Sequence, residues 1–203
     1  MSGDETASKW AHICLAIGLS TPLSCGSSEV RDLDEAGGAD AGAVGFTLAA
    51  EVDRIIDGDT IVVRAAPGVE TPDGVRLDGE SVRLLGVDTP ELRTPDGPEC
   101  FAVEAQRFAI AEIESVRIEL EFDETRCRPP EDVAACRGDF DRLLAYVRYV
   151  NAEGQSDVFN EALLRTGHAD VLPGSRFAHR DSVRYEALAQ DAAGAGLGLW
   201  ACP

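Results

Sequence analysis

The chain has 203 residues, enough for one domain with an N-terminal extension and a sizeable hydrophobic core. Its 37 acidic side chains outnumber 18 basic ones, giving a formal net charge of −19. This composition argues against a protein that attracts nucleic acid through a basic surface, so we expect long-range electrostatic steering of polyanions to be weak or reversed.

The N-terminal region contains an apolar run at residues 10–24 that is too short to span a bilayer. It resembles the hydrophobic part of a secretory signal, and Leu-Ser-Cys-Gly at 23–26 resembles a lipoprotein cleavage site. A short buried helix is the alternative interpretation. We expect residues 1–25 to be a signal- or lipoprotein-like segment, with a lipid on Cys25 as a membrane anchor.

The next segment, residues 26–45, is rich in glycine, serine, alanine and aspartate and shows no apolar period. This composition predicts a flexible acidic linker. A folded domain is expected to follow over residues 46–203. The protein is therefore predicted to be extracytoplasmic, either secreted or held at the cell envelope as a lipoprotein.

The domain itself shows five stretches with the apolar pattern of strands. We predict strands at about 46–56, 60–66, 80–88, 116–122 and 143–150. Apolar side chains at helical spacing predict three helices, at about 98–114, 160–167 and 180–193. By itself, this pattern indicates an α+β domain.

An acidic cluster lies where the third predicted strand stops. Pro90 cannot continue a ladder, and Asp88 and Glu91 lie on either side of it. Carboxylates this close repel one another unless a cation or an arginine is near. Arg83, a few residues upstream on the strand, is such an arginine. The arrangement indicates a metal-assisted site that acts on an anion.

A second acidic pair, Asp57 and Asp59, surrounds Gly58 just before the second predicted strand. Hard cations such as Ca²⁺ bind several oxygens at once, from carboxylates, carbonyls and waters. Asp59, Asp88 and the carbonyl of Thr89 would supply a minimal set of oxygens for such a cation.

Five motifs occur in a distinctive order. They are Ile-Asp-Gly-Asp-Thr at 56–60, Val-Arg-Leu-Leu-Gly-Val-Asp-Thr-Pro-Glu at 82–91, Asp-Arg-Leu-Leu-Ala-Tyr-Val at 141–147, Asn-Glu-Ala-Leu-Leu-Arg-Thr-Gly at 160–167 and Gly-Leu-Trp at 198–200. Together they resemble the staphylococcal nuclease (thermonuclease) family over roughly residues 47–201. The resemblance implies a five-stranded β-barrel of the oligonucleotide-binding type with about three helices. It also implies a monomeric, calcium-dependent endonuclease that cuts DNA, RNA or both and leaves 3′-phosphate ends.

The same resemblance assigns metal ligands. Asp59, Asp88 and the Thr89 carbonyl match the family's Ca²⁺ ligands, and Asp57 is a candidate for outer-sphere contact.

It also assigns the catalytic side chains. Glu91 matches the general base, which deprotonates or orients the attacking water, and Arg83 and Arg142 match the pair that holds the phosphate. Two fixed guanidiniums stabilise the negative charge that develops on phosphate during cleavage. Phe140 offers an aromatic face for stacking on a base.

The chain departs from the family just before Arg142. Asp139 and Asp141 surround Phe140 where the family tends to have lysine, an aromatic residue and glycine. This places acidic charge beside the expected phosphate site, and we expect it to weaken substrate binding.

The cysteines predict a disulfide framework. With Cys14 removed in a signal peptide and Cys25 lipidated, four cysteines remain in the domain. An even number in an exported domain favours Cys127–Cys136, closing a hairpin insertion, and by exclusion Cys100–Cys202. A zinc site is the alternative, although the spacings match no ordinary zinc pattern.

Two other functions compete with catalysis. One is a nucleic-acid or protein binding module with the nuclease fold and no turnover. Such relatives usually lose the acidic or arginine positions, which this chain keeps. The other is an envelope lipoprotein with a structural task, supported by the acidic surface and the linker.

Overall fold

The computed structural model describes residues 46–68, 77–127, 133–173 and 178–203, all within one structural unit that spans residues 41–203. The signal-like segment at 1–25 with Cys25 and the linker at 26–45 lie outside the described residues. Within the described ranges, no helix has the length and apolar character needed to cross a membrane.

In the described residues, short strands alternate with three α-helices. The strands are β1 (Thr47–Ile55), β2 (Thr60–Ala65), β3 (Glu80–Leu84), β4 (Val87–Asp88), β5 (Arg117–Glu121), β6 (Leu143–Val150), β7 (Ser156–Val158) and β8 (Asp170–Val171). The helices are α1 (Ala102–Ile113), α2 (Phe159–Arg165) and α3 (Ser182–Gly194).

Five of these strands close a barrel. Strand β1 pairs antiparallel with β2 and β5, β2 pairs with β3, and β5 pairs with β6. Parallel pairing of β3 with β6 completes the ring. The predicted α+β fold, a five-stranded barrel of the oligonucleotide-binding type with three helices, is confirmed.

Burial along the strands follows their position in the barrel. In β1, Leu48, Ala50 and Val52 are buried in alternation, as expected for a strand with one face on the core. The first five residues of β6 are all buried, because α2 packs on its outer side. The buried Asn160 of α2 accepts a hydrogen bond from Val147 N–H and donates one to the carbonyl of Leu85, each at 2.9 Å. Helix α2 is thereby fixed to the chain that leads into the acidic cluster.

The predicted strand at 80–88 is two strands rather than one. Gly86 adopts φ +81°, and a Cβ there would lie 2.3 Å from Nε2 of His179, so only glycine fits. The chain bends at this glycine, and β4 pairs with β8 instead of continuing along the barrel. The bend turns the segment that carries Asp88 away from the direction of β3.

Helix α1 begins at Ala102, four residues later than predicted. Phe101 adopts a left-handed conformation, φ 71°, and Cys100 before it forms a disulfide with Cys202. This disulfide attaches the C-terminus to the start of α1.

Both disulfide pairings that the sequence favours are present in the structure. The S–S distance is 2.04 Å for Cys100–Cys202 and 2.12 Å for Cys127–Cys136. With all four cysteines bonded in this way, none is left as a thiolate ligand for zinc.

Candidate active site

Arg83 occupies the centre of the acidic site. Its Nη2 lies 2.7 Å from Oδ1 of Asp88, and its Nη1 forms an ion pair with Oδ1 of Asp59. Strand β3 supports the arginine, and the Asp59 side chain is almost fully buried, with the residue only 3% exposed. A buried carboxylate is tolerated when it is paired and hydrogen-bonded, and Arg83 supplies that pairing.

Asp59 also joins the two acidic clusters that the sequence separates by about thirty residues. Its Oδ2 accepts hydrogen bonds from the Thr89 N–H at 2.8 Å and from the Thr89 hydroxyl at 3.0 Å. Gly58 permits this approach, since a Cβ there would lie 2.7 Å from Cγ2 of Thr89. The turn before β2 and the segment after β4 therefore form one surface.

Two further carboxylates belong to this surface. Burial raises the pKa of Asp57, while hydrogen bonding to Thr60 and the charge of Arg83 partly oppose the rise. The pKa of Glu91 is raised first by desolvation and then by the charge of Asp57, with smaller contributions from other carboxylates. These carboxylates lie close enough to repel one another, so negative charge remains beyond what Arg83 neutralises.

Arg142 lies immediately before β6 and faces the same surface. Its Nη1 donates to the hydroxyl of Thr60 at 3.3 Å, and its Nε donates to the carbonyl of Asp139 at 3.2 Å. Among the described ion pairs, Arg142 has no carboxylate partner, in contrast to Arg83. Its charge is therefore available to an external anion.

Phe140 projects beside this arginine. The residue is 90% exposed, and the Arg142 guanidinium carbon lies 5.4 Å from the centroid of its ring. An exposed aromatic ring next to an available cation is suited to a ligand that carries both a base and a phosphate.

The site lies open on the protein surface, because Glu91 and Phe140 are exposed and Asp57, Asp88 and Arg142 are half-buried. A cavity of about 480 Å³ between β5 and β6, lined by Arg117, Tyr149 and Val150 among others, includes none of the site residues. An open surface is suited to a long polymeric substrate more than to an enclosed small molecule.

The oxygens of this surface fit a hard cation in chemistry and in charge. Asp59, Asp88 and the Thr89 carbonyl are the donors that Ca²⁺ prefers, and the surplus of carboxylates favours a cation. Within the described ranges, however, no three acidic, histidine or cysteine side chains are already arranged as a metal site. The guanidinium of Arg83 lies between Asp59 and Asp88 and forms an ion pair with each, so it offsets only one of their two negative charges.

Two residues that the sequence does not mark as site residues also contribute to this surface. The Thr60 hydroxyl donates a hydrogen bond to Asp59 at 3.0 Å and accepts one from Arg142. The position of Thr60 directly after Asp59 in the motif is the sequence feature that could have identified it. The side chain of Glu99 accepts a hydrogen bond from the Glu91 N–H at 2.8 Å. No spacing in the loop pointed to Glu99.

A sequence profile described as staphylococcal nuclease homologue matches residues 81–202, more than half of the chain. This chain belongs to the staphylococcal nuclease family. The family match begins at Ser81, after Asp57 and Asp59, which the barrel brings beside the matched region.

Individual relatives in the staphylococcal nuclease family agree with the profile. The thermonuclease of Staphylococcus intermedius is 34% identical over 119 residues, and that of Staphylococcus hyicus is 32% identical over 120 residues. These alignments cover 58% and 59% of this chain and 56% of each relative, so the chain matches little more than half the length of these thermonucleases. An uncharacterized protein of Methanocaldococcus jannaschii is 27% identical over 169 residues, 74% of this chain and 70% of that protein.

Proposed function

We propose that this protein is a calcium-dependent nuclease that hydrolyses phosphodiester bonds in DNA, RNA or both. The observation that carries the proposal is the convergence of Arg83, Arg142 and Glu91 on one open acidic surface. The similarity to two thermonucleases supports the same reaction class.

Arg83 and Arg142 have complementary parts in the proposed reaction. Arg83 is held rigidly by Asp59 and Asp88, whereas Arg142 is available and half-buried. A planar guanidinium can donate two hydrogen bonds to a phosphate, and two such groups, one on β3 and one immediately before β6, would fix its orientation. The same donors stabilise the negative charge that builds up on the phosphate oxygens during attack by water.

Glu91 is the proposed general base. Its carboxylate deprotonates or orients the attacking water, and the raised pKa makes it a better proton acceptor than an ordinary glutamate. When bound, Ca²⁺ would supply positive charge to the reacting phosphate. Asp59, Asp88 and the carbonyl of Thr89 would hold the ion, and Asp57 would bind it through water. The proposed products carry 3′-phosphate ends.

We also place the protein outside the cytoplasm. The two disulfides support this location, because such bonds persist in oxidising compartments. Lipid attachment at Cys25 would hold it at the cell envelope, and otherwise it would be secreted.

One observation favours a second candidate, a binding module without turnover. Asp139 and Asp141 are exposed on either side of Phe140, and their charge opposes the approach of a phosphate. In this case the surface would bind a ligand weakly and cut nothing.

The deciding experiment is a cleavage assay on plasmid DNA and on RNA, with Ca²⁺ or with a chelator. We expect cleavage only with Ca²⁺, and a loss of about 10²–10³-fold in rate for Glu91→Gln and for Arg142→Ala. Arg107→Ala is the matched control, because Arg107 is exposed on α1 and makes no described ion pair. Wild-type activity in both site variants would refute the assignment, and nucleotide binding without any cleavage would support the binding module.

A further inference from the structure

The turn that carries Phe140 and Arg142 has an unusual backbone. Phe140 adopts φ 59° and Asp141 adopts φ 61°, so two consecutive non-glycine residues are left-handed. This conformation is disfavoured for residues with a Cβ. Such a conformation persists only where neighbouring contacts hold it in place.

Arg137 provides the side-chain contacts, in addition to a backbone hydrogen bond from the Gly138 N–H to the Arg142 carbonyl at 2.9 Å. The Nη1 of Arg137 donates a hydrogen bond to the carbonyl of Asp141, and its Nε lies 3.6 Å from Oδ1 of the same residue. Arg137 also forms a two-pronged ion pair with Glu80, in which Nη1 donates to Oε1 at 2.9 Å and Nη2 donates to Oε2 at 3.0 Å, so Nη1 is shared between Glu80 and the Asp141 carbonyl. Both partners of this pair are half-buried, which makes the pair stronger than one on an open surface.

Glu80 connects this turn to the other phosphate-binding arginine. It begins β3, the strand that carries Arg83, and β3 pairs with β6, the strand that follows Arg142. The Glu80–Arg137 pair therefore ties the turn at 139–142 to the support of Arg83. On the other side, Cys136 precedes Arg137 and is fixed to Cys127 by a disulfide.

Arg142 depends on this support because its own anchors are few. Its side chain has the Thr60 hydroxyl at 3.3 Å and the Asp139 carbonyl at 3.2 Å, both long for hydrogen bonds to a guanidinium. Without a fixed turn, the Arg142 guanidinium and the Phe140 ring would sample many orientations. Misplacement of a catalytic group by about 1 Å is enough to lower a rate strongly.

We propose that Arg137, together with Glu80, is a positioning residue that holds the turn at 139–142 so that Arg142 and Phe140 face the substrate beside Arg83. The expected effect of Arg137 on catalysis rests on the nuclease function proposed above. The structural claim, that Arg137 and Glu80 fix the turn, does not rest on it. The two parts are therefore separable by experiment.

The test compares Arg137→Gln, Arg137→Lys and Glu80→Gln with the wild type. Arg54→Gln is the matched control, because Arg54 forms an exposed ion pair with Asp53 on β1. Hydrogen–deuterium exchange over residues 138–143 reports on the turn. Titration of a nucleoside bisphosphate in the presence of Ca²⁺, together with kcat and KM for cleavage, reports on the site.

We expect Arg137→Gln to speed exchange over the turn at least about tenfold, to weaken bisphosphate binding about tenfold and to raise KM more than it lowers kcat. Arg137→Lys should recover part of the binding because it keeps the charge, and Glu80→Gln should show the same changes in weaker form. Arg54→Gln should change none of them. The comparison is made at a temperature at which each variant is fully folded.

Unchanged exchange in both Arg137→Gln and Glu80→Gln would overturn the proposal. Faster exchange with unchanged bisphosphate affinity would also overturn it, because the turn would then be loosened without effect on the site. If the wild type neither binds the bisphosphate nor cuts nucleic acid, the nuclease function fails, while the exchange data still decide whether Arg137 holds the turn.

Discussion

Glu91 and Glu99 exchange two hydrogen bonds across the loop that follows the acidic surface. The Glu91 N–H donates to Oε2 of Glu99 at 2.8 Å, and the Glu99 N–H donates to the Glu91 carbonyl at 2.9 Å. Cys100, the next residue, is bonded to Cys202. The backbone of the proposed general base is thereby fixed to the C-terminus, although the loop between is rich in turns.

This relationship predicts different effects for two substitutions of Glu99. Glu99→Ala removes the acceptor for the Glu91 N–H, and we expect kcat/KM for cleavage to fall about tenfold because the base loses its orientation. Glu99→Gln keeps an acceptor oxygen and removes a charge that contributes to the raised pKa of Glu91. We expect near-normal activity at neutral pH and an acidic limb of the pH–rate profile shifted to lower pH. Equal activity of Glu99→Ala and wild type would contradict the role of Glu99.

Asp141 is predicted to limit substrate binding. Its side chain is 86% exposed beside Arg142, and removing its charge in Asp141→Asn should tighten bisphosphate binding about two- to fivefold at low salt. Asp141→Gly should give the same tightening and also stabilise the protein by about 0.5–1 kcal/mol, because glycine relieves the left-handed strain at some cost in unfolded-chain entropy. Calorimetry and urea unfolding measure the two effects. An affinity gain in Asp141→Gly alone would show that strain, and not charge, is responsible.

The two disulfides should contribute unequally to stability. Cys100–Cys202 closes a separation of 102 residues and Cys127–Cys136 one of 9. Chain entropy then gives about 4.7 and about 2.7 kcal/mol as their respective contributions to the free energy of unfolding. We expect the Cys100→Ser/Cys202→Ser protein to unfold at lower urea than the Cys127→Ser/Cys136→Ser protein. The reverse order in equilibrium unfolding would contradict the entropic account.

Because His179 is buried, we expect the protein to lose stability in mild acid. The histidine is 7% exposed, its Nδ1 lies 3.1 Å from the Tyr146 hydroxyl, and that hydroxyl donates to Asp123 at 2.7 Å. Burial lowers the pKa of His179, although the nearby charge of Asp123 opposes the shift. The unfolded chain therefore binds a proton below about pH 6.5 that the folded protein rejects, and the free energy of unfolding falls as the pH drops towards the folded pKa.

The measurement is urea unfolding between pH 7.5 and 5.5, for wild type and His179→Gln. One such histidine contributes at most about 1.4 kcal/mol per pH unit, and the variant should lose that part of the slope. The partly buried His168, whose pKa is also lowered by burial, should account for slope that remains. Asp57 and Glu91 have the opposite effect on the free energy of unfolding at lower pH. Their pKa values are raised in the folded protein, so the folded protein takes up these protons before the unfolded chain does, and their protonation stabilises it. An unchanged slope in His179→Gln would exclude His179 as the cause.

The sequence by itself determined the class of fold and most of the residues at the site. Alternating apolar residues, glycines and prolines are local signals, and they predicted β1, β2, β5 and β6 to within two residues. The ordered motifs indicated the staphylococcal nuclease family, which the profile match confirms. Motif residues can be assigned from sequence because their identity and order are visible along the chain.

Tertiary structure decided how the chain bends and which side chains support the site. The break between β3 and β4 depends on Gly86 packing against His179, which is distant in sequence. The short pairing of β4 with β8 is equally nonlocal. The contacts of Arg137 with Glu80, 57 residues apart, are also invisible to local periodicity. Close packing and hydrogen bonding between distant segments follow from closure of the barrel, so they emerge only once the strands are assembled.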